Sequence, residues 1–556
     1  MTAIAPHAPH TSPARTSVAD RAPKRRLSPE RIAAGLTLVA LLVASVFALN
    51  SIGISLPSMI ESWGNAERFF ARVGTIEFPE PLELVQLTAL TLGIVISGTL
   101  FAAVVSVPVA YLAAGNTTPG PAWRAVARFI TVLTRAIPDV VLAMVFVLLF
   151  SLGALPGILA IGIHSIGMIS KLFADAIEQI DEGPRRAIRA AGGSKLQEFS
   201  SGILPQVLPS WVATVLHRND INLRGSVVLG YVGVAGLGLE MSFAFKSLNY
   251  SLGIGIAIVM LVLCIVMEIV SSAVRTAMLH GGRSSGGPLA ATTPQAAMRR
   301  PWTGSRVRST VWGWVAVVVI IGAVAVCNIQ WGDFLTVWAK IPPVAVQFWP
   351  PTFGSYDWDT MSTAMLETIA IALAAALLTL VLSVVIGSLA ARNVAPNPAT
   401  RTGARFLLVG IRGVPEVILA IVLIVITGLG AQAGTIALAF GGIGLLGKLI
   451  ADSFEEVKAG PERAVTAVGA TRLQRYASAT LPQGTPALIG HSFYLLDTNI
   501  RAATILGIVG GGGIGYYLLN AGQGSNYGVV TAIVLMILVT VLAVEGLAVW
   551  MRRVFR

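Results

Sequence analysis

The chain has 556 residues, of which 55% are hydrophobic and 12% charged, whereas a soluble globular chain typically has about 25% charged residues. Its formal net charge is +12, but the basic residues lie in short segments between apolar runs, which is typical of the positive-inside distribution of membrane proteins and argues against a basic face for nucleic acid. Cys264 and Cys327 both lie inside apolar runs, so the cysteines indicate neither a disulfide framework nor a metal cluster.

The chain begins with residues 1–31, a segment rich in Pro, Ala, His and Arg, which we predict to be a disordered cytoplasmic tail. A basic segment before an apolar stretch also resembles a secretory signal peptide, but here the apolar run continues to Ile54, beyond the roughly 7 to 15 residues of a signal core. We therefore predict an uncleaved first helix, with the N-terminus in the cytoplasm.

Long apolar runs recur along the chain, each close to or above the roughly 20 residues that a helix needs to cross a bilayer. Helices are expected because each satisfies its own backbone hydrogen bonds in lipid. The first half is predicted to cross the membrane six times, at residues 32–54, 87–114, 126–150, 155–178, 206–238 and 251–276. The acidic loop 55–84 is expected to face outward.

The chain contains two copies of one unit. Lys171-Leu172-x-Ala174-Asp175 recurs as Lys448-Leu449-x-Ala451-Asp452, an offset of 448 minus 171, or 277 residues. The same offset holds without a gap from about residue 88 to residue 275. An even number of crossings in each unit makes the copies parallel repeats, related by a pseudo-two-fold axis along the membrane normal.

The predicted fold is therefore an all-α, multi-pass membrane protein with about 12 transmembrane helices in two six-helix repeats. The predicted domains are residues 32–280 and 310–556, joined by a cytoplasmic linker at 281–309. A substrate pathway is expected between the halves.

Between the fourth and fifth crossings lies a segment too polar to cross a membrane, residues 181–195, with its copy at 458–472. Pro184 suits the first turn of a helix and Gly192 its end. The charge distribution places this segment in the cytoplasm. Such a short basic helix can dock into a groove of another protein, or it can rest its arginines on lipid headgroups.

Small residues followed by Gly192 and, twelve residues on, by Leu204-Pro205 resemble the cytoplasmic signature loop of binding-protein-dependent ABC importer permeases; the copy has Gly469 and Leu481-Pro482. The resemblance implies the type I importer permease fold and a coupling helix that sits in a cleft of an ATPase subunit. The residues assigned to ATPase coupling are Gly183, Pro184, Arg186, Ala187, Ala190, Gly192, Gly460, Pro461, Arg463, Ala464, Ala467 and Gly469. Arg186 and Arg463 stand where the family often has glutamate, which leaves the polar contacts of that position open.

Asp497 to Gly515, with its run of glycines, is similar to the fifth-helix segment of phosphonate importer permeases, and Asp220 to Gly238 keeps the same frame. The resemblance implies an inner-membrane permease subunit of an ATP-driven importer for phosphonate, phosphate or a related phosphorus oxyanion. It implies two copies of an ATPase subunit and an extracytoplasmic substrate-binding protein as partners.

No cofactor is expected in this chain, because ATP and Mg would be bound by the partner ATPase. Methionine importer permeases share a similar glycine-rich segment, so methionine or another small solute remains an alternative substrate. A six-plus-six secondary transporter and a membrane scaffold or channel are further alternatives.

Charged residues lie within membrane depth on the fifth crossing of each unit. A charge there costs at least about 2.5 to 3.5 kcal/mol, so it normally faces a partner or an aqueous pathway. One interpretation is that Asp220–Arg224 and Asp497–Arg501 neutralise themselves at i,i+4 spacing. The other is a translocation pathway in which the arginines attract an oxyanion, lined by Asp220, Asn222, Arg224, Asp497, Asn499 and Arg501.

Other motifs point away from chemistry in this chain. Gly442 to Lys448 resembles a phosphate-binding loop, but Leu449 replaces the required Ser or Thr and no strand precedes it. The six histidines offer no metal cluster. Arg135 with Asp139, and Arg412 with Glu416, flank Pro138 and Pro415 and are predicted to be structural. We expect no catalytic residue and no metal site.

Overall fold

The computed structural model describes residues 28–54, 56–281 and 304–555. Most of the predicted tail and of the predicted linker therefore lies outside the described residues. One helix begins at Pro29, inside the range predicted as tail, and another begins at Gly304, inside the range predicted as linker. The earlier start at Pro29 has a local cause, since the Ser28 side chain accepts a hydrogen bond from the Arg31 N–H and Pro29 occupies the first turn.

In the described residues each half contains ten helices of nine or more residues. Those of the first half are α1 (Pro29–Ser51), α2 (Leu56–Val73), α3 (Pro81–Ala113), α4 (Pro121–Ala136), α5 (Asp139–Phe150), α6 (Ala154–Glu178), α7 (Glu182–Ala190), α8 (Leu204–Gly230), α9 (Leu237–Lys246) and α10 (Tyr250–Gly281). Those of the second half are α11 (Gly304–Val326), α12 (Asp333–Gln347), α13 (Trp358–Ala390), α14 (Pro398–Gly413), α15 (Glu416–Thr427), α16 (Ala431–Glu455), α17 (Ala459–Ala467), α18 (Leu481–Ile508), α19 (Ile514–Gln523) and α20 (Tyr527–Phe555). Short π-helical turns, Glu198–Ile203 and Tyr476–Thr480, lead into α8 and α18.

The duplication is confirmed by the helix boundaries. Pro81 begins α3 and Trp358 begins α13, an offset of 358 minus 81, or 277 residues. Tyr250 and Tyr527, which begin α10 and α20, have the same offset. The two halves therefore share one succession of elements.

Among the described residues, nine helices are long and apolar enough to cross a membrane, or eleven spans if each of two bent pairs counts as one. Helix α18 is the repeat equivalent of α8, and counting it with them gives six crossings in each half. The predicted all-α membrane architecture is confirmed.

The third crossing, predicted as one helix at 126–150, is instead broken in both halves. Helices α4 and α5 meet at 86°, and α14 and α15 at 76°. The cause is Pro138 and its copy Pro415, because proline lacks an N–H and forces the preceding residue into an extended conformation. Ile137 accordingly has φ −88° and ψ 122°.

The fifth crossing ends earlier than predicted, at Gly230 rather than at residue 238. In the second half the glycine run ends α18, because Gly510, Gly512 and Gly513 adopt φ values of 105°, 83° and 75° that favour glycine. The loop also packs closely, since a Cβ on Gly513 would lie 2.4 Å from Thr368 of α13. The glycine run therefore both ends α18 and packs closely against α13.

The predicted outward loop 55–84 contains α2, a helix that periodicity had not indicated. Phe69 and Val73 of α2 pack with Ile254 of α10 and with Val425 and Ile426 of α15. Helix α2 thus covers an apolar surface that both halves contribute.

The first helix of each half packs on the opposite half. Ala34 of α1 forms a small core with Ala548 and Met551 of α20. Conversely, a Cβ on Gly93 of α3 would lie 2.8 Å from the Ala323 carbonyl oxygen of α11. This exchange joins the halves into one helical assembly.

Candidate functional site

The two short polar helices, α7 and α17, present the residues assigned to coupling at the surface. The side chains of Arg186 and Arg463 are exposed, as are those of Ala187 and Ala464. All the remaining residues of that set are exposed as well: Gly183, Pro184, Ala190, Gly192, Gly460, Pro461, Ala467 and Gly469. Each helix therefore presents an exposed face with small side chains and an exposed arginine, Arg186 or Arg463.

Both polar helices end at a glycine that the backbone requires. Gly192 and Gly469 have φ values of 79° and 82°, and no atom lies within 4 Å of a Cβ built on either. Glycine is favoured here because of its conformation and not because of crowding. The chain then turns into a capping box at Ser194 or Thr471.

A cluster of ion pairs holds α7 against the turn that leads into α8. The carboxylate of Glu198, 2% exposed, contacts Arg185, Arg189 and Lys195. Burial lowers the pKa of Arg185, but its hydrogen bond to Glu198 and the charge of Glu182 outweigh burial and raise that pKa above its usual value. The basic side of α7 is thus partly neutralised from within.

The second half has a weaker version of this cluster. Glu462 of α17 lies 4.0 Å from Arg475, and Thr466 occupies the position equivalent to Arg189. An open hollow of about 490 Å³ lies beside this pair, lined by Ala459, Glu462, Arg463, Thr466, Ala467 and Arg475. The two polar helices therefore share a shape but not a charge pattern.

The glutamine of the Leu-Pro-Gln motif ties each polar helix to the following membrane helix. Gln206 accepts the Asp181 N–H at 3.0 Å and donates to the Asp181 carbonyl at 3.1 Å. Its copy Gln483 donates to the Lys458 carbonyl at 3.5 Å. Gln206 therefore links the start of α7 to the start of α8.

A network of charges lies where the halves meet inside the membrane. Arg224 pairs with Asp220 at 3.0 Å and with Glu268 at 3.1 Å. It also donates to the carbonyl of Arg412 at 2.7 Å, which lies at the end of α14 in the opposite half. A guanidinium here satisfies a carbonyl that the broken helix leaves without an intrahelical donor.

Arginines of the broken helices complete the network from the other side. Arg412 lies 3.8 Å from Glu268, and Arg135 lies 3.8 Å from Glu545. Arg135 and Arg412 were predicted to be structural, but nothing in the sequence indicates that each reaches an acid of the opposite half.

The structure places the residues predicted to line the pathway in two groups. Arg501 pairs with Asp497 on α18 as Arg224 pairs with Asp220 on α8, so the i,i+4 geometry exists in both halves. Asn222 instead donates to Thr99 at 2.9 Å and to Ser165 at 3.1 Å of its own half.

Asn499 is 3% exposed and its amide is directed to the Ala372 carbonyl, also in its own half. The hydrogen bonds of Asn222 and Asn499 thus lie within their own halves. They favour a packing role, because a buried amide must satisfy its donors and acceptors internally.

Two polar residues near the centre were missed in the sequence. Arg218 of α8 is buried and donates to the Ser165 hydroxyl at 3.0 Å, and the His164 ring contacts the Ile137 carbonyl at 3.1 Å. Their equivalents are Leu495 and Gly441. The signal that could have found them is this failure of the repeat at two positions inside the membrane.

Comparisons with known proteins agree with the duplicated architecture. Residues 106–280 and 383–556 each match the family described as "Binding-protein-dependent transport system inner membrane component". The phosphate-import permease protein PhnE of Mycolicibacterium smegmatis is 41% identical over 512 residues, 92% of each chain. The phosphite transport system permease protein PtxC of Stutzerimonas stutzeri is 38% identical over 185 residues, 33% of this chain and 67% of that protein.

Among solved structures, a chain of the inward-facing MetNI methionine ABC transporter is 20% identical with a TM-score of 0.34, and the match covers 36% of this chain and 100% of that one. The two family matches begin 383 minus 106, or 277, residues apart. Each match therefore covers one half.

Proposed function

Because the chain belongs to the family of binding-protein-dependent transport system inner membrane components, we propose that it forms the complete membrane pathway of an ATP-driven importer for phosphate, phosphonate or a related phosphorus oxyanion. The chain is a multi-pass membrane protein and acts as a transport subunit. Both halves of the pathway are supplied by one polypeptide, since each half carries the family's match.

The observation that carries the substrate proposal is the identity of 41% across 92% of both chains with a phosphate-import permease. A relative of this length shares the tandem arrangement as well as the individual domain. A shorter relative named for phosphite transport supports the same substrate class. Tetrahedral phosphorus oxyanions fit a pathway that contains several arginines, because guanidinium donors can bind two oxygens at once.

Two copies of an ATPase subunit are proposed to bind α7 and α17. The support is geometric: both helices have an exposed small-residue face, and the pseudo-two-fold relationship presents the two faces in equivalent ways. Arg186, Arg189 and Arg463 are exposed on or beside these faces, so the cleft that receives them should carry acidic groups. ATP and Mg would be bound and used by that partner.

Transport is proposed to follow from movement of α7 and α17. Closing of the two ATPase subunits on ATP would bring the polar helices together, and Gln206 and Glu198 link α7 to the base of α8. An extracytoplasmic binding protein would deliver the anion at the opposite end. The N-terminus and both polar helices are proposed to lie on the cytoplasmic side of the inner membrane. This orientation rests on the basic residues that flank α7 and α17.

The test is reconstitution of the chain with its ATPase and binding protein in proteoliposomes. We expect ATP-dependent uptake of radiolabelled inorganic phosphate or methylphosphonate, and none of methionine. The double variant Arg186→Glu with Arg463→Glu should abolish ATPase binding. Its matched control is Lys171→Glu within helix α6, which should not affect ATPase binding. Uptake driven by an ion gradient in the absence of ATP would instead identify a secondary transporter, and methionine uptake would identify a different substrate class.

A further inference from the structure

Helix α12 lies at the membrane face opposite to α7 and α17, because the crossings formed by α13, by the bent pair α14 and α15, and by α16 separate it from α17. It has 15 residues, so it is about 22 Å long, shorter than the roughly 30 Å hydrocarbon core of a bilayer. Pro342 and Pro343 lie inside it. Helix α12 is therefore a short helix at one membrane face, between the crossings α11 and α13.

One side of α12 packs on the end of α5 in the opposite half. Phe334, Val337 and Lys340 are three residues apart and lie on one side of the helix. Val337 is buried, and the rings of Phe334 and Phe150 lie 5.7 Å apart. Lys340 donates to the carbonyl of Leu149 at 3.2 Å, near the end of α5, where a helix leaves its last carbonyls without intrahelical donors. These contacts fix α12 to α5.

A second side of α12 is apolar and exposed. At 100° per residue, five apolar residues fall on one narrow stripe that begins just before the helix and ends just after it. This tryptophan stripe consists of Trp331, Leu335, Trp338, Val346 and Trp349, which are 67%, 83%, 72%, 72% and 70% exposed. An exposed apolar surface of this kind indicates contact with another molecule or with a membrane.

The tryptophan stripe is absent from the equivalent helix of the first half. Helices α2 and α12 begin 333 minus 56, or 277, residues apart, which is the repeat offset. At that offset the first half has polar or charged residues at three of the five positions; in stripe order, the equivalents are Ile54, Ser58, Glu61, Phe69 and Arg72. The stripe is thus a property of the second half and not of the shared fold.

The composition of α12 fits the interface between lipid and water. Tryptophan is enriched at this level of a bilayer, because its ring is apolar and its N–H can reach water or a headgroup. A helix that lies in the interface has an apolar side towards the acyl chains and a polar side towards water. Asp333, Thr336 and Gln347 provide the polar side, opposite to the tryptophan stripe.

The chain leads directly from lipid-facing residues to the tryptophan stripe. Ile321 and Val326, in the last turns of α11, are 62% and 45% exposed, as expected for a crossing that faces acyl chains. Trp331 follows Val326 after four residues. The exposed apolar surface of α12 therefore continues a surface that the bilayer already covers.

We propose that α12 lies in the lipid interface, with its tryptophan stripe among the headgroups and upper acyl chains of the leaflet opposite to α7 and α17. Through Phe334 and Lys340 the helix then holds the end of α5 at a fixed depth in the membrane. In the other half, α2 covers α15 through Phe69 and Val73. The two broken crossings are thus held in different ways, one by a lipid-bound helix and one by a helix without the tryptophans.

The experiment measures the surroundings of a spin label on α12 in the full chain, reconstituted in proteoliposomes with Cys264 and Cys327 replaced by alanine. The label is attached at Leu335→Cys in the tryptophan stripe. The matched controls are Thr336→Cys, the next residue on the polar side, and Glu67→Cys, an exposed position of α2. Collisions are measured with oxygen, which concentrates in lipid, and with a water-soluble nickel complex.

We expect the Leu335 label to collide more with oxygen than with nickel, and both control labels to show the reverse. Nickel accessibility at Leu335 equal to that at Glu67 would place the stripe in water and overturn the proposal. Shielding from both reagents overturns it as well. If shielding occurs in the chain alone, protein covers the stripe, and if it occurs only after addition of the binding protein, the stripe is a docking surface for that protein.

A second measurement applies if the labelled variant does not assemble. The double variant Trp331→Phe with Trp338→Phe keeps the apolar character of the stripe, and its fluorescence should lose part of the signal that is quenched by lipids brominated near the headgroup. Trp211→Phe is the control, because Trp211 is 4% exposed and stacked on Phe173, and it should keep the quenched signal unchanged. An unchanged quenched signal in the double variant overturns the proposal. Neither measurement requires transport, so both are independent of the proposed function.

Discussion

Arg185 and Glu198 form a buried ion pair in the first half, and the equivalent positions of the second half hold the same pair with its charges exchanged, as Glu462 and Arg475. The offsets, 462 minus 185 and 475 minus 198, are both 277 residues. Each polar helix is thus fixed to the turn before the next membrane helix by an ion pair, while its surface charge is free to differ. The two exposed polar helices therefore carry different charge patterns.

Reversing the charge of Arg185 should break its cluster. Arg185→Glu would leave Glu198 buried beside a second carboxylate, and we expect a loss of about 3 to 5 kcal/mol of unfolding free energy, as for other broken buried pairs. Adding Glu198→Arg alone should restore little, because Arg189 and Lys195 would then repel the new arginine. Adding Arg189→Thr as well, which copies Thr466, should restore most of the stability in thermal unfolding in detergent. Full recovery in the double variant would show that Arg189 does not interact with position 198.

The glycines that end the polar helices should be required for their backbone conformation. Gly192→Ala or Gly469→Ala places a Cβ at positive φ, which we expect to cost about 1 to 2 kcal/mol, whereas Gly192→Asn should cost less because asparagine tolerates this region. Gly460→Ala is the matched control, since it lies inside α17 with open space around its Cβ and should be neutral or slightly stabilising. Thermal unfolding compares the variants. A neutral Gly192→Ala would mean that α7 ends differently from the structure.

The two glutamines that tie the polar helices to α8 and α18 should differ in importance. Gln206 makes two bonds to Asp181, at 3.0 and 3.1 Å, whereas the bond of Gln483 to the Lys458 carbonyl measures 3.5 Å. We expect Gln206→Ala to lower the phosphate transported per ATP and to cost about 1 to 3 kcal/mol of stability. Gln483→Ala should have a smaller effect in both measurements. Equal effects would contradict the asymmetry of these bonds.

Glu268 should contribute far more to the stability of the protein than its copy Glu545. It contacts Arg224, Arg275 and Arg412 at 3.1, 3.6 and 3.8 Å, while Glu545 reaches only Arg135, at 3.8 Å, among the described residues. Glu268→Gln leaves three arginines underneutralised, and we expect it to cost about 3 kcal/mol. For Glu545→Gln, whose side chain is 43% exposed, we expect at most about 1 kcal/mol. Thermal unfolding distinguishes them, and a larger effect of Glu545→Gln would refute the ranking.

In the second half Glu416 and Gly441 stand at the positions equivalent to Asp139 and His164, and a Cβ on Gly441 would lie 3.0 Å from a carboxylate oxygen of Glu416. Gly441→His should destabilise the protein by about 1 to 3 kcal/mol, the usual cost of overpacking, because Glu416 occupies the required volume. Glu416→Asp should rescue it by recreating the arrangement of Asp139 with His164. Thermal unfolding of both variants and of Glu416→Asp alone measures the coupling. Lack of rescue would mean that the ring of His164 depends on other neighbours.

Much of this molecule follows from local sequence. The six crossings of each half, their duplication and the exposed polar segments could be predicted because hydropathy and the repeat are properties of short stretches. Most of residues 183–192 lie at the surface, since their composition suits neither lipid nor a core, whereas Arg185 is buried in its ion pair with Glu198. The breaks at Pro138 and Pro415 were within reach of the sequence, because proline acts on its immediate neighbours.

The packing of one half against the other was decided only by tertiary structure. An apolar helix face carries no address, so nothing in α1 or α11 indicates that each packs on the opposite half. Likewise, Arg224 and Arg412 are separated by 188 residues, and their contact exists only once the break between α14 and α15 brings a free carbonyl to the interface. The sequence by itself determined which elements form and that they form twice. Long-range packing decided which charges meet, because the partner of a buried charge is set by the three-dimensional neighbourhood that desolvates it.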